Sequence, residues 1–93
     1  MVRPFKKRFL QSTPNATYYK PKGIPLRNLT EIILQPDEIE SIKLKYVDNL
    51  DQIDAAEQMN ISQSTFQRIL ASANKKIADA LINGKAIKLI NFK

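Results

Sequence analysis

Gln63, Ser64, Gln67 and Arg68 stand close together in the second half of the chain and carry complementary hydrogen-bonding groups. If the segment is helical, their spacing puts them on one side of it. A guanidinium forks onto two acceptors, a carboxamide sets a donor beside an acceptor, and a hydroxyl does both. Such groups pair with base edges in a DNA major groove: Arg with O6 and N7 of guanine, Gln with N6 and N7 of adenine, Ser with several edges. Ser62 and Thr65 flank them and suit phosphate oxygens. Lys75 and Lys76 follow about two turns later, where they would meet phosphate or simply solvate an exposed face.

Other chemistries have little to work with. The 93 residues include no Cys and no His, so there is no thiolate nucleophile, no imidazole base, no disulfide, and none of the usual ligands for zinc or an iron–sulfur cluster. Gly23 and Gly84 are the only glycines, too few for a phosphate-cradling loop. The expectation is therefore a protein that is not an enzyme and needs no metal or cofactor. No apolar run is long enough for a signal-peptide core or a membrane span, so a cytoplasmic protein without membrane contact is expected, associated with the nucleoid if DNA is its partner.

The net charge of +6 is unevenly spread. Residues 1–30 hold seven Lys or Arg and no acid, residues 31–59 hold two Lys against eight acids, and residues 60–93 hold six basic residues against Asp79 alone. A polyanion is attracted to both ends and repelled by the middle. On this reading Arg3, Lys6, Lys7 and Arg8 form a basic arm that tracks the DNA backbone.

Elements must position these groups. Four of the five prolines and Gly23 lie in residues 1–28, which read as an extended arm, with Thr17-Tyr18-Tyr19 a candidate edge strand before Pro21. Leu26, Leu29, Ile32 and Ile33 have helical spacing, yet Ile32-Ile33-Leu34 reads equally as an extended run. Pro36, Asp37 and Glu38 suit a helix N-terminus and predict a first helix over 36–48 that buries Ile39, Ile42, Tyr46 and Val47. Asp51 caps a short second helix with Ala55, Ala56 and Met59 inward and Asp54, Glu57 and Gln58 outward. After a turn at Asn60, Ser62 caps a third helix whose inward positions are Phe66, Ile69, Leu70, Ala73, Ile77, Ala80 and Leu81. It closes on Gly84 after about 30 Å. Residues 85–92 read as a terminal strand, paired with the Thr17–Tyr19 stretch or with its counterpart in a second copy.

The second and third helices, with Ala56 allowing close approach and Ile61 anchoring the turn, have the pattern of a helix-turn-helix in which Asn60 stands where Gly is usual. Residues 34–40, 55–62 and 73–77 resemble the helix-turn-helix of sigma-factor region four. The whole chain, including Tyr19-Lys20-Pro21-Lys22-Gly23-Ile24-Pro25-Leu26 and residues 78–86, is similar to a small uncharacterised prokaryotic family of predicted DNA-binding proteins. Some members of that family carry N-terminal cysteines or a fused domain of the nitrogenase-cofactor type. These 93 residues contain neither, so no redox role is carried over.

The expected fold is mostly α: a basic N-terminal arm over 1–33, a three-helix helix-turn-helix domain over 34–83 and a terminal strand over 84–93. The expected partner is double-stranded DNA, read in the major groove by the helix starting at Ser62, with a role in transcription regulation. The alternative is a protein-interaction module that docks on RNA polymerase or another transcription protein through its acidic middle. A homodimer through the terminal strand or the rear of the third helix would double the half-sites read.

Overall fold

The computed structural model describes Pro14 and residues 16–90. Three helices and a small three-stranded sheet follow one another as β1 (Tyr18–Tyr19), β2 (Glu31–Leu34), α1 (Pro36–Ile42), α2 (Gln52–Met59), α3 (Gln63–Asn83) and β3 (Ala86–Leu89). Among the described residues no helix is long and apolar enough to cross a membrane.

β3 is the central strand. It pairs antiparallel with β1, Tyr18 opposite Lys88, and parallel with β2, Glu31 opposite Ala86 through Leu34 opposite Leu89. A parallel pair needs a long crossover, and here the three helices provide it. Of the two strand partners expected for the C-terminal segment, the Tyr18–Tyr19 stretch is the one found, and Ile32-Ile33-Leu34 proves extended. The parallel pairing of β2 with β3 was not anticipated, and it draws residues 31–33, expected to lie in an arm, into the sheet beside α3. Sequence periodicity could not show it, because Ile33 on the exposed side of the strand is as apolar as Ile32 and Leu34 on the covered side.

α1 begins as expected, with Pro36 in its first turn and a capping box in which the Gln35 N–H donates to Glu38 Oε1 at 2.8 Å. Its buried side is not the expected one. Tyr46 and Val47 are exposed, Ile39 and Ile42 are half-buried, and the residues turned fully inward are Glu38, Glu40, Ser41 and Leu44. The last turn, Lys43–Val47, is a π-helical segment closed by the Asp48 N–H on the Lys43 carbonyl at 2.9 Å; it adds a residue to the turn and carries Tyr46 and Val47 off the packed face.

Polar side chains lie inward on α1 because their hydrogen bonds are met. Ser41 Oγ donates to the Glu38 carbonyl at 2.8 Å. The Glu38 carboxylate accepts from the Gln35 N–H, from Ser72 Oγ, and from Lys76 Nζ at 2.8 Å. Lys76 Nζ also donates to the Ile33 carbonyl at 2.8 Å. One carboxylate thus ties the start of α1 to the middle of α3, and its lysine partner reaches on to β2. Burial pushes the Glu38 carboxyl upward, but the Gln35 amide, Lys76 and Ser72 together outweigh it and hold the group below its ordinary range.

The core under the α2–α3 corner consists of Leu44, Ala55, Ala56, Met59 and Phe66, with Leu50, Ile61 and Leu70 packed against it. α3 buries Phe66, Ala73 and Ala80 and half-buries Ile69, Leu70 and Ile77. Leu81, expected inward, is 74 % exposed. It lies three residues before the Gly84 cap, where the chain turns away into β3 and Ala80 and Ala86 fill the interior.

Replacing Glu38 with Gln leaves the geometry but removes the charge, and is expected to cost about 1–3 kcal/mol at neutral pH. Because the folded-state carboxyl is depressed, its contribution is present above about pH 4.3, its ordinary value, and is lost as pH falls through the folded value. Urea unfolding midpoints of wild type and Glu38→Gln should therefore converge as acidification passes below that folded value. A gap independent of pH would show that the charge is not what Lys76 and Ser72 hold.

Candidate functional site

α2 and α3 are joined by three residues, Asn60, Ile61 and Ser62, each with a local task. Asn60 takes the left-handed conformation at φ 59° and closes α2, its N–H directed at the Ala56 and Glu57 carbonyls. The Ile61 N–H bonds the Ala56 carbonyl at 3.1 Å while its side chain packs on the core, so the turn is fastened from both sides. Ser62 caps α3: its Oγ accepts the Thr65 N–H at 3.1 Å and donates to Thr65 Oγ1 at 2.9 Å. Asp51 caps α2 in the same way, accepting the Asp54 N–H at 2.9 Å.

Phe66 sets the roll of α3. Its ring is fully buried, so the opposite side of the first three turns faces solvent. Gln63, Ser64, Gln67 and Arg68 are all exposed there, which brings the expected base-reading residues onto one surface. Ser64, Gln67 and Arg68 line an open groove of about 780 Å³ together with Leu70, Ala71 and Asn74 of α3 and Gln52 at the start of α2. Arg68 extends toward Thr65 Oγ1, at 3.5 Å, and Asn74 donates from its amide to the Tyr46 hydroxyl at 3.1 Å. The groove offers amides, a hydroxyl and a guanidinium over a partly apolar floor, a surface suited to hydrogen-bonding a flat polar ligand edge.

The backbone-contact candidates divide. Thr65 is half-buried and, like Ser62, engaged in the cap. Lys75 is exposed and adds to the charge that, after Lys85 and Asn83, keeps the Asp79 carboxyl low. Lys76 is paired with Glu38, and moving its ammonium to a phosphate would leave that buried carboxylate without its cation. Arg3, Lys6, Lys7 and Arg8 lie outside the described residues. Gln52, Ala71 and Asn74 were not singled out from sequence. Counting on from Ser64 and Arg68 at helical spacing reaches Ala71 and Asn74, but an alanine reads as filler, and nothing in the sequence brings Gln52 beside them.

Away from the groove, Val47 and Ile53 are 70 % and 55 % exposed, on a stretch that also carries exposed Asp48, Asp51, Asp54 and Glu57. Among the described residues no group of three or more His, Cys, Asp or Glu is placed to hold a metal ion.

The family described as "Protein of unknown function DUF134" matches residues 1–91. The chain belongs to this family. Among DUF134 relatives, "UPF0251 protein TTE1845" of Caldanaerobacter subterraneus subsp. tengcongensis is 53% identical over 89 residues, which cover 96% of this chain and 75% of that protein. "UPF0251 protein DehaBAV1_0135" of Dehalococcoides mccartyi is 52% identical, covering 96% and 76%. A UPF0251 protein of Desulforudis audaxviator is 49% identical, covering 96% of this chain but 58% of its own length. No solved structure matches. The expected membership of an uncharacterised prokaryotic family is thus borne out, and for a DUF134 chain the functional reading rests on the site's own chemistry.

The left-handed corner gives a direct test of the local geometry. Asn60→Gly should stabilise the fold and Asn60→Ala should destabilise it, each by about 1 kcal/mol, since only glycine adopts that conformation freely. In a domain of this size such changes move the thermal midpoint by about 4–8 °C, readable by circular dichroism. Midpoints unchanged in both variants would mean that residue 60 is not held left-handed.

Proposed function

We propose that this protein binds double-stranded DNA sequence-specifically, as a transcriptional regulator and not an enzyme, through a helix-turn-helix formed by α2 and α3. The observation that carries the reading is the solvent-facing row Gln63, Ser64, Gln67 and Arg68 on the first turns of α3, which the burial of Phe66 leaves exposed beside a short fastened turn. A helix presented in this way fits a major groove, which admits it end-first and displays a distinct donor and acceptor pattern for each base pair. In this reading Arg68 pairs with guanine, Gln63 and Gln67 with adenine, and Ser64 with a neighbouring edge. Phosphates fall to Thr65 and Lys75 and to the basic arm of Arg3, Lys6, Lys7 and Arg8. The likeness of residues 34–81 to sigma-factor region four supports the same arrangement, and a cytoplasmic, nucleoid-associated protein follows from it. A homodimer would bring two such helices to successive half-sites.

A second reading has its own support. The exposed Val47 and Ile53 lie among exposed Asp48, Asp51, Asp54 and Glu57, a surface that suits a basic protein partner such as a component of the transcription machinery. The two readings are compatible, since that surface carries the wrong charge for DNA and would face away from it.

Duplexes selected from a random pool should bind the full chain with an affinity that falls steeply with salt, at a log–log slope of about −4 to −6 if five or six phosphates are neutralised. Gln67→Ala and Arg68→Ala should each cost about 1–3 kcal/mol for the selected site while leaving the circular dichroism spectrum unchanged. Absence of binding at low salt would overturn the DNA reading, and equal binding of all sequences would overturn its specificity.

A further inference from the structure

The groove beside Arg68 has one feature that hydrogen-bonding chemistry does not use. Ala71 is exposed on the face that carries Ser64, Gln67 and Arg68, and the half-buried Leu70 lies next to it. Two of its polar neighbours are engaged by other side chains. The Arg68 guanidinium reaches back toward Thr65, and the Asn74 amide is held by the Tyr46 hydroxyl on α1. Ala71 itself is exposed, so its methyl is an apolar spot within a polar reading surface.

In the major groove only one base edge presents an exposed hydrocarbon, the C5-methyl of thymine. We infer that Ala71 is a specificity-determining residue that selects a T·A pair by contact with that methyl. This inference rests on the DNA reading above and extends it. One helical turn separates Ala71 from Gln67, a rise of about 5.4 Å, whereas successive base pairs rise about 3.4 Å. The selected thymine thus lies within about two base pairs of the bases paired by Gln67 and Arg68. Asn74, anchored to Tyr46, sets the far limit of the reading surface and keeps the apolar spot open.

The test replaces each thymine of the selected duplex in turn by deoxyuridine, which removes the methyl and leaves base pairing intact. Wild-type protein is expected to lose about threefold to tenfold in affinity at one thymine, near the positions most sensitive to Gln67→Ala and Arg68→Ala. Ala71→Gly should bind the thymine and uracil duplexes equally. Ala71→Ser, which suits a helix better than glycine and sets a hydroxyl on the carbon that would meet the thymine methyl, keeps the result readable if the glycine variant unfolds, and should weaken the discrimination. Wild-type binding that tolerates uracil at every position, or undiminished discrimination in each variant that folds, overturns this inference and leaves the DNA reading standing. Failure of the wild type to bind any duplex overturns both.

Discussion

The structure depends on one packing contact, the fully buried ring of Phe66 among Leu44, Ala55, Ala56 and Met59. Two alanines at successive positions of α2 let the third helix approach closely enough for the ring to fill the space between them, and Ile61 closes the corner from the turn. Removing a buried phenylalanine ring costs about 3–5 kcal/mol, a large part of what a domain of this size has in hand. The contact also has a geometric consequence, because a helix with one side fastened by a large ring cannot roll. The exposure of Ser64, Gln67, Arg68 and Ala71 is the other side of the burial of Phe66.

A second constraint fixes where α3 lies along its length. The Glu38 carboxylate joins the capping box of α1 to Ser72 and Lys76, and Lys76 reaches on to the Ile33 carbonyl of β2. A buried charge is costly unless its hydrogen bonds are complete, and here backbone, hydroxyl and ammonium all contribute. Removing any one leaves the others partnered to a group that no longer matches them. The Phe66 contact sets the rotation of α3 and the Glu38 cluster sets its position against α1 and the sheet, so the groove is held by two unrelated kinds of force.

Local signals in the sequence were strong where a single residue has one good use. Asp51 and Ser62 as caps, Pro36 at a helix start, Asn60 and Gly84 as left-handed stops, and Phe66 as an inward anchor can each be read without knowing the fold, and each occupies the expected place. Reading failed where the outcome depended on residues distant in the chain. Glu38 suits a helix dipole by sequence alone, while Ser72 and Lys76, 34 and 38 positions away, turn it inward, and with it the whole buried side of α1. Tyr46 and Val47 were assigned inward by a 3.6-residue period that the π-helical turn interrupts. The parallel pairing of β2 with β3 depends on a crossover of three helices, which periodicity cannot express. The exposed row on α3 was legible because one large buried residue fixes it; Gln52 was not, because only the folded corner brings α2 to the same groove.

The function proposed above is recognition of a flat, polar, anionic partner by the first turns of α3. Backbone amide chemical shifts of the labelled protein, followed by NMR as a selected duplex is added, test this most directly. The account predicts shifts concentrated in residues 62–71 with a smaller set near Gln52, and little change along Asp54 and Glu57 or at the far end of α3. Shifts centred on Val47, Ile53 and their acidic neighbours, with residues 62–71 undisturbed, would contradict it.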